Sequence, residues 1–290
     1  MLSGVLRLMA MVSVVLAMAA VAGEALAQEL ISRLEFRDAY AARVEKAIPG
    51  VKIVRKGESE LQLTLPDGRT MTAFLDNAYA DYRKDPTDLD ELLGRHARSI
   101  VAASQDRPLV AERLVVIVRH EDFVAHGMDL SDLNEGDVPI TRPIGGGLIA
   151  IIAQDEPESV SMPPRSTLVE RFGNEDRIWA LALANTPRFV GELQVERLGD
   201  SSILLVAGQP SYAPSLLVLD QWNSEALAGE GNPVVIVVDR DIIIVTRDRD
   251  PETLLAMGRV LEGLRQDGTP AISDAVLVLK NGEWIEVELD

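Results

Sequence analysis

The stretch that most limits what this chain can fold into is residues 232–265, NPVVIVVDRDIIIVTRDRDPETLLAMGRVLEGLR. Residues 234–238 (VVIVV) and 242–245 (IIIV) are β-branched runs separated by Asp239, Arg240 and Asp241. Neither run alternates with polar residues, so the pattern predicts a tight hairpin whose strands are buried on both faces. Asp250, Pro251 and Glu252 then supply an N-cap, a first-turn proline and a first-turn acid. Leu254, Leu255, Met257, Val260, Leu261 and Leu264 follow at helical spacing, and one stripe of that helix can cover the hairpin. This unit reads as core and carries no chemistry of its own.

The rest of the chain reads as strands and helices of similar kind. A helix is expected over residues 28–48, stopped by Pro49-Gly50, followed by strands at 51–55, 61–65 and 70–75 with a turn at Pro66-Asp67-Gly68. Helices are expected at 76–84 and from Asp85-Pro86 to about 104, a buried-type strand at 113–119, and another at 148–153. Residues 121–141 read as an acidic loop and 155–165, with three prolines, as a connector. A helix at 176–186 should end at Pro187. A hairpin at 192–207, a helix at 214–228, and a closing hairpin around Asn281-Gly282 complete the order. Antiparallel hairpins and meanders covered by helices argue for an α+β fold. Both halves, 28–155 and 166–290, run helix, paired strands, helix, apolar strand. That order fits a duplication, and it fits equally the ordinary reuse of this arrangement in α+β domains.

The N-terminus has the tripartite pattern of a secretory signal peptide. Arg7 is the positive region, residues 8–22 the apolar region, and Ala25-Leu26-Ala27 the small-x-small cleavage site, so cleavage after Ala27 is expected. The apolar run falls short of the roughly 20 residues a membrane-spanning helix needs, so no stable span is expected after cleavage. The chain has no cysteine, which removes disulfides, thiolate metal sites and cysteine nucleophiles. An exported protein without cysteine suits a bacterial envelope, periplasmic or secreted. N-terminal sequencing of the mature protein should begin at Gln28; an intact Met1 in the soluble fraction would defeat the assignment.

Charge narrows the partners. Acids number 46 against 28 bases, a formal charge of -18, and no dense run of Lys or Arg breaks that field. Nucleic acid and anionic membrane surfaces are therefore disfavoured.

Four segments, taken together, resemble the YtpQ-like family of uncharacterised bacterial proteins, a domain family of unknown function. They are residues 74–83 (FLDNAYADYR), 143–155 (PIGGGLIAIIAQD), 179–185 (WALALAN), and the 234–246 hairpin with Asp250-Pro251 after it. The resemblance implies no activity. Members of that family are generally cytoplasmic, and the export signal departs from that pattern.

Candidate chemistry is sparse. His120 and His126 flank Glu121 and Asp122, with Asp129 close by, which is the only credible setting for a hydrolytic base, with or without a metal. Their spacing is not the i, i+4 of a metalloprotease helix. His96 reads as a surface or core residue of a helix. Residues 129–137 (DLSDLNEGD) have calcium-loop composition, but the glycine falls one place early and the closing acid is missing. Gly145-Gly146-Gly147 lacks the Lys-Ser/Thr of a phosphate loop, no GxGxxG or GxSxG occurs, and the glycines read as a way into the next strand at unusual φ. No cofactor and no resident metal is expected. The best recognition candidate is Asp76 and Asn77 with Tyr79, Tyr82 and Arg83, where two rings at i, i+3 share one helix face; the same rings would serve equally as packing against the meander. Tyr212, Trp222 and Trp284 read as core or domain-seam residues. The preferred reading is an exported, non-catalytic protein that binds a partner protein or small molecule, with a His120/His126 hydrolase as the alternative.

Overall fold

The computed structural model describes residues 30–104, 108–127, 136–157, 159–209, 211–223, 227–266 and 272–287. The expected signal peptide, at 1–27, and most of the calcium-like loop, at 129–135, lie outside the described residues.

Helix α1 (Arg33–Ala47) begins five residues later than the periodicity suggested, because a capping box sets its start. The Glu35 amide donates to Ser32 Oγ and the Ser32 amide to Glu35 Oε2, satisfying two N-terminal donors reciprocally. Strands β1 (Lys52–Lys56), β2 (Glu60–Thr64) and β3 (Thr70–Phe74) form the expected antiparallel meander. Helices α2 (Asp76–Lys84) and α3 (Leu89–Ser104) follow. Phe36, Tyr40 and Val44 of α1 meet Leu61 and Leu63 of β2, Tyr82 of α2 and Leu93 of α3 in one core. Alternation along β2 puts both leucines on the helix side.

Beyond residue 108 the chain builds four layers. Strand β4 (Leu114–His120) pairs with β6 (Leu148–Glu156), whose other side carries β5 (Thr141–Gly145) and the short β7 (Ser159–Ser161). The short helix α4 (Asp122–Gly127) follows β4 in what was expected to be irregular loop, and β7 lies in the expected connector. The second sheet has the order β13-β12-β10-β11-β9-β8, from β8 (Gln194–Arg197), β9 (Leu204–Ala207), β10 (Val234–Val237), β11 (Ile242–Thr246), β12 (Leu277–Lys280) and β13 (Glu283–Glu286). Every strand pair among the described residues is antiparallel, and the fold is α+β.

The unbroken apolar runs now have their reason. Val115, Ile117, Ile151 and Ala153 face Val235, Val237, Ile243 and Val245 of the second sheet. On the opposite faces, Leu114, Val116, Ala150 and Ile152 lie under Leu168 of α5 (Arg165–Phe172) and Ile178, Trp179 and Ala182 of α6 (Glu175–Val190). Val234, Ile236 and Ile244 lie under Leu254, Met257 and Leu261 of α7 (Pro251–Gln266). A strand sandwiched between layers must be apolar at both parities. Thus β4 and β6 share their clusters with elements beyond residue 165, while the cluster around Phe36 takes its buried members from Phe36 to Ala97.

Two other expectations change. Within the expected helix at 214–228, residues 214–223 do not form an α-helix; two 3-10 turns, Ala213–Val218 and Gln221–Asn223, take their place. Residues 212–217 are all buried, so no solvated stripe exists for an amphipathic helix to present. Helix α6 runs through Pro187 to Val190. It does so because it lies along the free edge of β4: the Val116 amide donates to Thr186 Oγ1 at 2.9 Å, and Asn185 Nδ2 donates to the Ala111 and Leu114 carbonyls. Side chains of a helix thereby close a strand edge that would otherwise be open. Thr186→Val should lower the unfolding free energy by about 1–3 kcal/mol, because it strands the buried Val116 amide, while Thr186→Ser should stay near wild type. Equilibrium urea unfolding measures both; equal losses for the two variants would show that the hydroxyl does not matter. Among the described residues, no helix is long and apolar enough to cross a membrane.

Candidate ligand-binding cleft

In the recognition group expected at residues 76–83, Tyr82 is buried, Tyr79 half-buried and Asp76 exposed. Tyr82 is 2% exposed, its ring 5.6 Å from that of Phe36 and its hydroxyl accepting the Ile31 amide. The Tyr79 hydroxyl donates to the Ile31 carbonyl, its ring meets Phe36 edge-on at 5.3 Å, and Arg33 lies over it while pairing with Asp76. Ser59 also donates to Asp76. These contacts clasp residue 31 against α2 and pack both rings beside Phe36. Arg83 is exposed, and the Asn77 side chain lies outside the described residues.

His120, at the end of β4, has a side chain 36% exposed. Its Nδ1 accepts the Asp122 amide at 3.3 Å and faces the Asp122 carboxylate, and its Nε2 lies where a Cβ on Gly147 would sit 2.7 Å away. His126 is on α4, but its side chain lies outside the described residues. His96 packs beside Tyr40, 3.7 Å from the Asp81 carboxylate. Among the described residues, no three His, Asp or Glu side chains gather into a set that could hold a metal. The three glycines have φ of +135°, +57° and +71°, as expected for an unusual turn. They also permit close approach between sheets: a Cβ on Gly145 would meet the Trp284 carbonyl at 2.8 Å, and one on Gly146 would meet Ala275 at 2.6 Å.

Beside that joint opens a cleft of about 570 Å³ that the sequence did not reveal. Its walls are Pro143, Ile144 and Gly145 of β5, residues 217–220, Trp222, and Leu279, Gly282, Glu283 and Trp284 of the closing hairpin. Asn281 and Gly282, with φ of +53° and +85°, make the two-residue turn that brings Trp284 back beneath Leu279. The Trp284 indole donates to the Leu217 carbonyl at 2.8 Å and meets Trp222 edge-on at 5.3 Å. Arg247 fixes the other wall, donating to the backbone carbonyls of Trp222, Leu227 and Gly231. Among the described residues, no hydroxyl, thiol or imidazole lines the cleft, and neither does any Lys or Arg. Its charges are Asp220 and Glu283, both exposed. The seam reading of Trp222 and Trp284 holds, whereas nothing local in the sequence marked the two acids.

A second polar feature ties the two sheets together. Arg119, at the end of β4, donates to the Val118 and Ser211 carbonyls, and burial pushes its guanidinium down to about 10. Ser211 has φ of +77°, and its amide donates to Asp241. Tyr212 donates to Asp155, and burial, then that hydrogen bond, holds its phenol well above the usual value. Asp239 accepts the Asp241 and Ile242 amides, yet burial raises its carboxyl above the ordinary 3.8. A carboxyl raised on folding binds its proton more tightly in the folded state. Its contribution is fully present below pH 3.8 and is lost as pH rises through the raised folded value. Asp239→Asn keeps an acceptor oxygen without the charge. Its stability relative to wild type should therefore rise with pH across that window and level off above it, as urea unfolding at stepped pH would show; a difference independent of pH would contradict this.

No family model, no curated protein and no solved structure matches the chain.

Proposed function

We propose that this is an exported, non-catalytic α+β protein of the bacterial envelope that binds a small molecule or a partner group in the cleft between β5 and the closing hairpin. The observation that carries the reading is the lining, which among the described residues consists of aliphatic side chains, two indoles and two carboxylates, with no nucleophilic hydroxyl or imidazole. A concave site that sets placed polar groups beside apolar walls is the usual form of a ligand site. The signal-peptide pattern expected at residues 1–27 supports the envelope location.

The test uses the protein's own indoles. Of its three tryptophans, Trp179 lies under the first sheet, so Trp179→Phe leaves only Trp222 and Trp284 to emit. A small-molecule fragment set titrated into that variant should include compounds that shift emission saturably, and Leu279→Phe, which narrows the cleft, should abolish the shift. Binding indifferent to Leu279→Phe would overturn the assignment. So would turnover of an ester, amide or phosphate ester that disappears in His120→Ala, which would favour the hydrolase.

A further inference from the structure

Resting on that assignment, we infer that the group bound in the cleft is an organic cation, a protonated amine or guanidinium on an apolar body. The two cleft carboxylates have no hydrogen bond or ion pair to any described residue. The nearest base in sequence, Lys280, stands opposite Glu283 across the hairpin turn but makes no ion pair with it.

Each class of ligand meets these groups differently. An anion would find no cationic side chain among the described lining residues, would lose the Trp284 indole N–H to the Leu217 carbonyl, and would enter against the field of a chain carrying -18. A neutral apolar ligand would strip water from Asp220 or Glu283 and return nothing for it. A cation restores to the carboxylates what the apolar body displaces, while that body covers Ile144, Leu219 and Leu279. The same chemistry is offered by a free amine and by adjacent aromatic and basic side chains of a peptide.

Three probes of nearly one shape separate the classes: phenethylamine, 2-phenylethanol and 3-phenylpropionate, titrated into the Trp179→Phe protein by calorimetry and indole fluorescence. The amine should bind about tenfold more tightly than the alcohol, the scale two exposed ion pairs allow, and the acid should not bind. The advantage should shrink at high salt. In Asp220→Asn/Glu283→Gln the amine should fall to the level of the alcohol, with alcohol binding unchanged. N-acetyl-phenylalanyl-lysine amide, compared with its glutamine counterpart, identifies the source: a lysine peptide tighter than phenethylamine points to a polypeptide, and a weaker one to a free amine. If amine and alcohol bind alike and both respond to Leu279→Phe, the cation is overturned and the cleft stands. If no probe of any charge responds to Leu279→Phe, both are overturned.

Discussion

Trp284→Ala is expected to lower the free energy of unfolding by about 3–5 kcal/mol, the range for truncating a large buried aromatic side chain. Three losses coincide at this position. The indole is 8% exposed and belongs to the cluster that joins the two sheets, so its removal opens a hole among Leu217, Trp222 and Leu279. The Leu217 carbonyl, which accepts the indole N–H at 2.8 Å, loses its donor inside the protein. The edge-on contact with Trp222 disappears as well. Trp284→Phe separates these effects, since it keeps most of the ring and deletes the donor; its expected loss is about 1–2 kcal/mol. Urea unfolding followed by far-ultraviolet circular dichroism reads both variants, with an unchanged denaturant slope showing that the unfolded state is the same. A loss under about 1 kcal/mol for the alanine variant would mean that the ring does not hold the seam.

That result would also bear on why some of this structure was legible in the residues and some was not. The β10–β11 hairpin, α7 and the β12–β13 turn rest on signals within a few residues: β-branched runs, an Asp-Pro-Glu start, an Asn-Gly pair. The meander of β1 to β3 is read in the same way. Residues 212–217 fail the test because a segment buried on all sides has no periodicity to find, and its 3-10 turn is dictated by the layers around it. Pro187 suggested a helix end, and the helix passes it because Asn185 and Thr186 are already fixed to the edge of β4. Tertiary contacts outweigh a local breaker there.

The candidate site was harder still. The rarity of histidine drew attention to His120, whose Nδ1 accepts the Asp122 amide and whose Nε2 lies close to Gly147. The tyrosine pair drew it to α2, whose aromatic face is turned toward Phe36. The cleft, by contrast, is assembled from three stretches, 143–145, 217–222 and 279–284, that meet only after both sheets form. Each reads alone as core or turn. The joining of Arg119, Ser211 and Asp241 depends in the same way on positions 92 and 30 residues apart in the chain. No local pattern encodes such meetings.

The partition of the apolar clusters leads to the second large effect, on fragments of the chain. Residues 28–104 produced alone should fold, and so should 108–290, whereas a division into 28–155 and 156–290 should leave the second piece without a cooperative transition. The first cluster draws its buried members from Phe36 to Ala97 and takes none from beyond. The clusters of the remainder need β4 and β6: without Val115, Ile117 and Ile151 the second sheet exposes Val235, Val237 and Val245, and without Val116 and Ile152 helix α6 has nothing to cover. A fragment of the size of 28–104 is marginal by its surface-to-volume ratio, and it also gives up the contact of α3 with β7, so its midpoint should lie below that of the whole protein. Calorimetry and amide chemical-shift dispersion in nuclear magnetic resonance decide the matter. A dispersed spectrum and a single transition for 28–104, beside a collapsed spectrum for 156–290, would place the boundary near 105. A well-dispersed 156–290, or a 28–104 that never folds, would show that the clusters do not mark independent units.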